Sequence, residues 1–279
     1  MSVNFTVHNI ELDDGTFTKP EGGLSTGSNP TFQSAKRILD LIYPGKKDHL
    51  KLADVGCLEG GYTVAFARLG FQALGLDVRQ LNIDACRYVQ TKVNLPNLDF
   101  VLDNAWNIAK YGPFDVTFCC GLLYHLDKPK EYLELLAKVT NRVLILDTHF
   151  SEERDSPSFI RPRRLRRFVA KIFPLKHNAT TTHKLSHMTE HEGLRGRWYS
   201  EFQTNRAFRD RDNRRLASWD NRRSFWNQRE YLIGAIQSAG FDIVLEQFDQ
   251  LGPNIAHEMT KGGYRIHGRG TFVGIKTAQ

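Results

Sequence analysis

The sequence predicts an α/β fold: a doubly wound, mostly parallel seven-stranded sheet with an antiparallel terminal hairpin and an inserted cap. Three observations predict it. Between residues 50 and 146, short apolar runs alternate with helical patterns at the spacing of parallel strands joined by crossover helices. The alternation then breaks over residues 150–225, too long an interruption for a connecting loop in a compact domain. It resumes with one helical segment and two β-like runs. No helix pattern separates those two runs, so they should pair antiparallel.

Each element has its own signal. Residues 1–30 are rich in Gly, Thr, Ser and Pro and read as an extended arm. Thr31 to Leu41 has helical spacing (Phe32, Ala35, Ile38, Leu39), closed by Pro44-Gly45. Strands are expected at 50–55, 73–76, 98–102, 115–120 and 142–146. Helices are expected at 62–69, 80–93 and 129–139, the second burying Leu81, Ala85 and Tyr88 on one face. After the break, 228–239 reads as a helix with Gly240 as its C-terminal cap, and 243–248 and 271–275 as the hairpin strands. Four regions follow: an N-terminal arm and helix (1–45), a core (46–150), an inserted cap that forms the substrate region (151–226), and the C-terminal part of the core (227–279).

The 279 residues suffice for a large core, and the hydrophobic share of 41% and charged share of 25% are those of an ordinary globular protein. No apolar run reaches 18 residues, which argues against a membrane span. Met1 to Phe5 show no secretory pattern, so a cytoplasmic location is expected. Cys57, Cys86, Cys119 and Cys120 form no CxxC pair and read as reduced, mostly buried thiols. The net charge of +7 favours anionic partners. It is concentrated at Arg161 to Lys176, with seven basic residues and no acid. That tract suits a solvated face, nucleic acid or, given the interleaved Phe168, Val169, Ile172 and Phe173, a membrane surface.

The stretch Leu52-Ala53-Asp54-Val55-Gly56-Cys57-Leu58-Glu59-Gly60-Gly61-Tyr62, with Leu74-Gly75-Leu76-Asp77 after it, carries the chemistry. An apolar strand ends in a Gly-rich turn, a helix follows, and the next strand stops on an acid. Asp77 stands where a carboxylate accepts hydrogen bonds from ribose hydroxyls, and Gly56, Gly60 and Gly61 allow close approach to the backbone. These residues point to a nucleoside-containing cofactor.

Asp54 to Gly60 resembles the first motif of the class I S-adenosylmethionine-dependent methyltransferase family, Asp77 its ribose-binding acid and Asp103 its adenine-side acid. Gly121-Leu122-Leu123-Tyr124-His125-Leu126 resembles the fourth motif of a bacterial branch whose N-terminal segment is similar to His8-Asn9-Ile10-Glu11-Leu12-Asp13-Asp14-Gly15. Some members of that branch modify the wobble uridine of transfer RNA, and others act on sugars and natural products. Leu58 departs from the family, which commonly has Gly there. The resemblance implies that Asp54, Gly56, Cys57, Glu59, Gly60 and Tyr62 bind S-adenosylmethionine, with the backbone around Gly56, Cys57 and Gly60 flanking its methionine part. It likewise implies that Asp77 holds the ribose, that Val78, Asp103, Asn104 and Ala105 hold the adenine, and that Gly121 leaves room near the sulfonium.

For the acceptor, His125 is the expected general base, because its ordinary pKa lies near working pH. Asp147 and His149 share a face of an extended segment and are expected to converge on the substrate, directly or through a divalent cation such as magnesium. His187, His191, Glu192 or Glu246 would complete that metal site. Tyr124, Arg197, Trp198, Tyr199, Asn221 and Trp226 combine aromatic faces with polar forks and suit a sugar or flat polar substrate. The favoured reaction is O-methylation of a small polar molecule. The alternatives are a transfer RNA modifier and a basic interaction protein with a vestigial cofactor fold.

Overall fold

The computed structural model describes residues 3–153, 185–248 and 268–277. Its strands are β1 (Lys51–Val55), β2 (Gln72–Asp77), β3 (Leu98–Leu102), β4 (Phe114–Cys120), β5 (Thr140–His149), β6 (Thr189–His191), β7 (Leu194–Ser200), β8 (Arg223–Asn227), β9 (Ile243–Gln247) and β10 (Arg269–Ile275). Seven of them form one sheet in the order β3-β2-β1-β4-β5-β10-β9. The first five run parallel. β10 lies antiparallel between β5 and β9. Sequence order reverses at β1, whose neighbours are β2 and β4, and a crevice opens at such a point in doubly wound sheets.

Helices α1 (Pro30–Ile42), α2 (Gly61–Arg68) and α3 (Gln80–Gln90) cover one face, and α4 (Pro129–Val139) and α5 (Arg229–Ser238) the other. Asn29 caps α1 by accepting from the Thr31 N–H, with Pro30 in the first turn, the arrangement that satisfies an orphan donor where the chain needs no N–H. Phe32, Phe66, Phe118 and Ile83 fill the first layer. Tyr132, Leu136, Leu232 and Ile236 fill the second.

Three features differ from the sequence expectation. On α3, Leu81 and Tyr88 are exposed, while Asn82, Ile83, Ala85, Cys86 and Val89 are buried. The inward position of Asn82 has a cause: its amide donates to the Asp77 carboxylate at 3.0 Å. β5 extends beyond 142–146 in both directions, because β4 pairs with it at Thr140 and β10 as far as His149. Residues 105–110 form a 3₁₀ turn with Asn104 accepting from the Trp106 N–H at its start.

The cap contains a three-stranded antiparallel sheet, β6-β7-β8. It is tied to the core by the Ser151 N–H donating to the Asn227 carbonyl and by the Phe225 N–H donating to Leu126, both with Phe225 buried between. The basic tract 161–176 lies outside the described residues. Among the described residues, no helix is long and apolar enough to cross a membrane. All four cysteines are free; Cys57, Cys86 and Cys119 are buried and Cys120 is partly so.

Gly60 begins α2 with φ +77°, and a Cβ there would stand 2.7 Å from the Phe100 ring. The Gly60→Ala variant should therefore lose about 1–3 kcal/mol through overpacking and left-handed strain, read as a lower urea midpoint.

Candidate active site

A cavity of about 340 Å³ opens over the carboxyl ends of β1, β2 and β4, at the crevice where strand order reverses. The turn after β1 is shaped by hydrogen bonds to β2. The Gly56 and Cys57 N–H groups both donate to the Leu76 carbonyl (2.8 and 3.0 Å). Leu58 then adopts φ +52°, the left-handed conformation that the usual glycine would favour, and its N–H donates to Asp77 Oδ2 at 3.0 Å. The departure at Leu58 is thus accommodated by a hydrogen bond to the next acid. Asp77 Oδ1 accepts from the Arg79 N–H and from Asn82. Burial raises the Asp77 carboxyl, and these donors oppose the rise. Asp54, which accepts from Thr63 Oγ1 at 2.6 Å, is pushed up to about 7 by burial.

Among the residues assigned to the cofactor from sequence, Asp54, Gly56, Tyr62, Asp77, Val78, Asn104, Ala105 and Gly121 line this cavity. Four do not. Cys57 is buried, with its thiol pushed well up by burial beside Cys86. Gly60 packs on Phe100. Glu59 is buried and accepts from Thr6, Val7, His8 and Arg215. Asp103 faces its own 3₁₀ turn: Oδ1 accepts from Asn104 N–H and Asn107, and Oδ2 from Tyr111 and Lys110. The Asn107 and Tyr111 donors hold its carboxyl down at about 2.

Tyr124 and His125, the residues expected on the acceptor side, both line the cavity. His125 Nδ1 lies 3.0 and 3.1 Å from the two oxygens of Glu201, a residue that follows β7 and whose side chain is only 2% exposed. Glu201 also accepts from the Ser218 N–H and Ser224 hydroxyl. A carboxylate only accepts, so Nδ1 carries the hydrogen and Nε2 keeps the basic lone pair. Sequence reasoning missed Glu201, because nothing local joins it to a histidine 76 positions earlier.

Asp147 and His149 are placed otherwise than expected, and neither lines the cavity. Asp147 Oδ1 accepts from Arg269 (2.7 Å from Nε) and Oδ2 from Thr271. Arg269, which does line the cavity, has its guanidinium pushed further up by Asp147, against the opposing effect of burial. His149 stacks on Trp226 with ring centres 4.7 Å apart, and its Nδ1 is 3.1 Å from the Gly268 carbonyl. The proposed further ligands are dispersed. His191 contacts the Asp127 carbonyl, Glu192 accepts from the first N–H groups of α4, and Glu246 pairs with Arg229. Among the described residues, no group of three His, Cys, Asp or Glu side chains can hold a metal ion. The expected ligands among the described residues are not gathered around a divalent cation.

The cap residues divide. Arg197 donates to the Ser186 carbonyl and Trp198 packs against His191 and Phe225. Tyr199 packs on Trp226, whose indole N–H donates to the Tyr124 carbonyl. Asn221 donates to the His125 carbonyl. These residues position the site from outside the cavity. The cap segment 215–220, Arg79 and the arm residues Val7 and His8 line it instead. Of these, Trp219 and Asp220 belong to a stretch marked by its aromatic and polar residues and His8 to the N-terminal segment of the resemblance, whereas Arg79 and Arg215 to Ser218 are not singled out by the sequence.

Comparison with known proteins bears on the fold. Residues 53–143, from β1 into β5, match the family described as a methyltransferase domain. The N-terminal domain of EvdMO1 with SAH bound superposes with a TM-score of 0.58 at 19% identity, covering 90% of this chain and 82% of that one. The chain has the Rossmann-like methyltransferase fold. Magnesium protoporphyrin IX methyltransferase from Synechocystis PCC 6803 superposes at 0.51, with 13% identity and 90% and 84% coverage. In sequence, the chain is 27% identical over 109 residues to the O-antigen chain terminator bifunctional methyltransferase/kinase of Escherichia coli, covering 34% of this chain and 15% of the relative. It is 30% identical over 101 residues to the mitochondrial ubiquinone biosynthesis O-methyltransferase of Dictyostelium discoideum, covering 32% of each. The chain thus spans only 15% of the first of these relatives and a third of the second.

His8 supplies a measurable property of the site. Its Nδ1 accepts from the Gly61 N–H at 3.0 Å, and burial, reinforced by Lys19 and opposed by Glu59, lowers its pKa to about 4. As pH falls from about 6.5 to 4, the unfolded chain takes up a proton that the folded chain refuses, so stability falls. The His8→Asn variant keeps an acceptor for Gly61 and should flatten that decline by up to ~1.4 kcal/mol per pH unit, checked by urea unfolding between pH 7 and pH 4.

Proposed function

We propose that this chain is a class I S-adenosylmethionine-dependent methyltransferase that O-methylates a hydroxyl of a small polar acceptor, a sugar or a hydroxylated natural product. The observation that carries this reading is one cavity lined by both Asp77 and His125, with His125 held by the buried Glu201. The residues suit the donor. Asp77 offers a carboxylate to adjacent hydroxyls, and the Gly56 backbone edges the cavity. At Gly121 a Cβ would fill space 3.6 Å from the Tyr124 hydroxyl and the Arg269 guanidinium. When bound, S-adenosylmethionine supplies a methyl group on a sulfonium, open to in-line attack. His125 Nε2 takes the proton of the acceptor hydroxyl as the oxygen attacks, and Glu201 stabilises the resulting imidazolium.

The EvdMO1 domain, also studied in the presence of SAH and D-fucose, supports a sugar acceptor, and the ubiquinone relatives support oxygen as the nucleophile. A transfer RNA acceptor rests on the resemblance of residues 8–15 and 121–126. RNA binding that weakens steeply with salt would bring it forward.

Asp77→Asn should abolish detectable S-adenosylmethionine binding in calorimetry; unchanged affinity would remove the donor assignment. With a radiolabelled methyl donor and a panel of monosaccharides, phenols and transfer RNA, His125→Ala should bind the donor normally and lose turnover by about 10²- to 10⁴-fold. Near-normal turnover would remove His125 as the base. Donor binding without turnover on any acceptor would favour a vestigial cofactor fold.

A further inference from the structure

Residues 215–220 of the cap form part of the cavity wall. Besides the bonds of Ser218 to Glu201 and His125, they are fastened to groups around Asp77 and the turn after β1. Arg215 pairs with Glu59 at 2.9 Å. The Arg79 guanidinium donates to the Ala217 and Ser218 carbonyls (2.6 and 3.2 Å), while its own backbone N–H is held by Asp77. Trp219 lies against the Arg79 and Arg211 guanidinium groups, 5.4 and 5.1 Å from its ring centre. At the far end Asn104 donates to Asp220 Oδ2 at 2.7 Å. The segment therefore crosses the mouth of β2 and ends beside Asn104 and Ala105.

This end of the cavity is where a purine ring beyond an Asp77-bound ribose would lie, and two carboxylates are near. Asp103 has both oxygens taken by the 3₁₀ turn and does not line the cavity. Asp220 lines it, and its anchoring bond from Asn104 uses one of its two oxygens. Ala105 also lines the cavity as the first residue of the turn, and the first N–H groups of such a turn have no acceptor within it. An acceptor carboxylate beside a backbone donor matches the edge of adenine, where an amino group donates and the adjacent ring nitrogen accepts.

We propose that Asp220, carried by the cap, accepts the hydrogen bond from the 6-amino group of the adenine of the methyl donor. The assignment rests on the donor reading given above and extends it: the cap recognises the donor as well as covering the acceptor. Seating of the donor and seating of residues 215–220 are then one event, and product release requires the segment to lift.

The test is a ligand-side double-mutant cycle by calorimetry. S-adenosylhomocysteine and its analogue with hydrogen in place of the 6-amino group are titrated into the wild-type chain, Asp220→Ala and Asp103→Ala. The wild type should prefer the amino form by about tenfold or more, the worth of a hydrogen bond to a charged acceptor. That preference should shrink to within about twofold in Asp220→Ala and persist in Asp103→Ala. A preference retained in Asp220→Ala, or absent in the wild type, overturns the assignment. Asp220 is exposed, so its variant should fold, and it decides the matter alone should Asp103→Ala unfold. Failure of the wild type to bind either compound is a different result: it removes the donor reading and this assignment with it.

Discussion

The buried Glu59 carboxylate is the point on which three distant parts of the chain meet. It accepts from the backbone of Thr6, Val7 and His8 in the arm and from Arg215 in the cap, while itself belonging to the turn after β1. Burial alone would raise its carboxyl, yet the arm's N–H groups hold it below its ordinary value. An unpaired charge in that position would be costly, so arm and cap are each favoured by the presence of the other. His8 and Arg215 reach the cavity through this junction, and without it the cavity loses two of its walls.

The second organising contact, between His125 and Glu201, joins core and cap on the acceptor side. His125 sits in a short 3₁₀ turn after β4, and Glu201 follows β7. Ser218 hydrogen-bonds to both members, its N–H to Glu201 and its hydroxyl to the His125 carbonyl. The same cap segment therefore touches Arg79 beside Asp77 and, through Ser218, the His125–Glu201 pair. In the proposed reaction, a base oriented by a group on a separate structural unit is fully prepared only when that unit is in place.

Much of the core was legible because its signals are local. An apolar run ending in an acid marks a strand and its carboxyl end at once, so Asp77 could be placed near the cavity from the residues themselves, while Asp54 and Gly121 are placed there by the family resemblance. Legibility failed where contacts cross the chain. Asp147 and His149 do sit two apart on an extended strand, but β10 brings Arg269 and Thr271 against Asp147, and β8 brings Trp226 against His149. Arg197 and Trp198 carry the composition of a binding surface, yet they serve the small sheet of the cap. Asp103 ends its strand as a base-reading acid would, but the following turn supplies Asn107 and Tyr111, which capture its oxygens.

The placement of β10 between β5 and β9 also bears on how the molecule is assembled. β9 precedes β10 in sequence but is separated from β5 by it, so the slot beside β5 stays vacant until residues 269–275 arrive. Until then β5 presents a long row of unpaired backbone groups, and Asp147 waits for a guanidinium 122 positions downstream. Such an open edge is a template for pairing with another chain. The strand that brings Arg269 to Asp147 is also the one that covers the edge of β5.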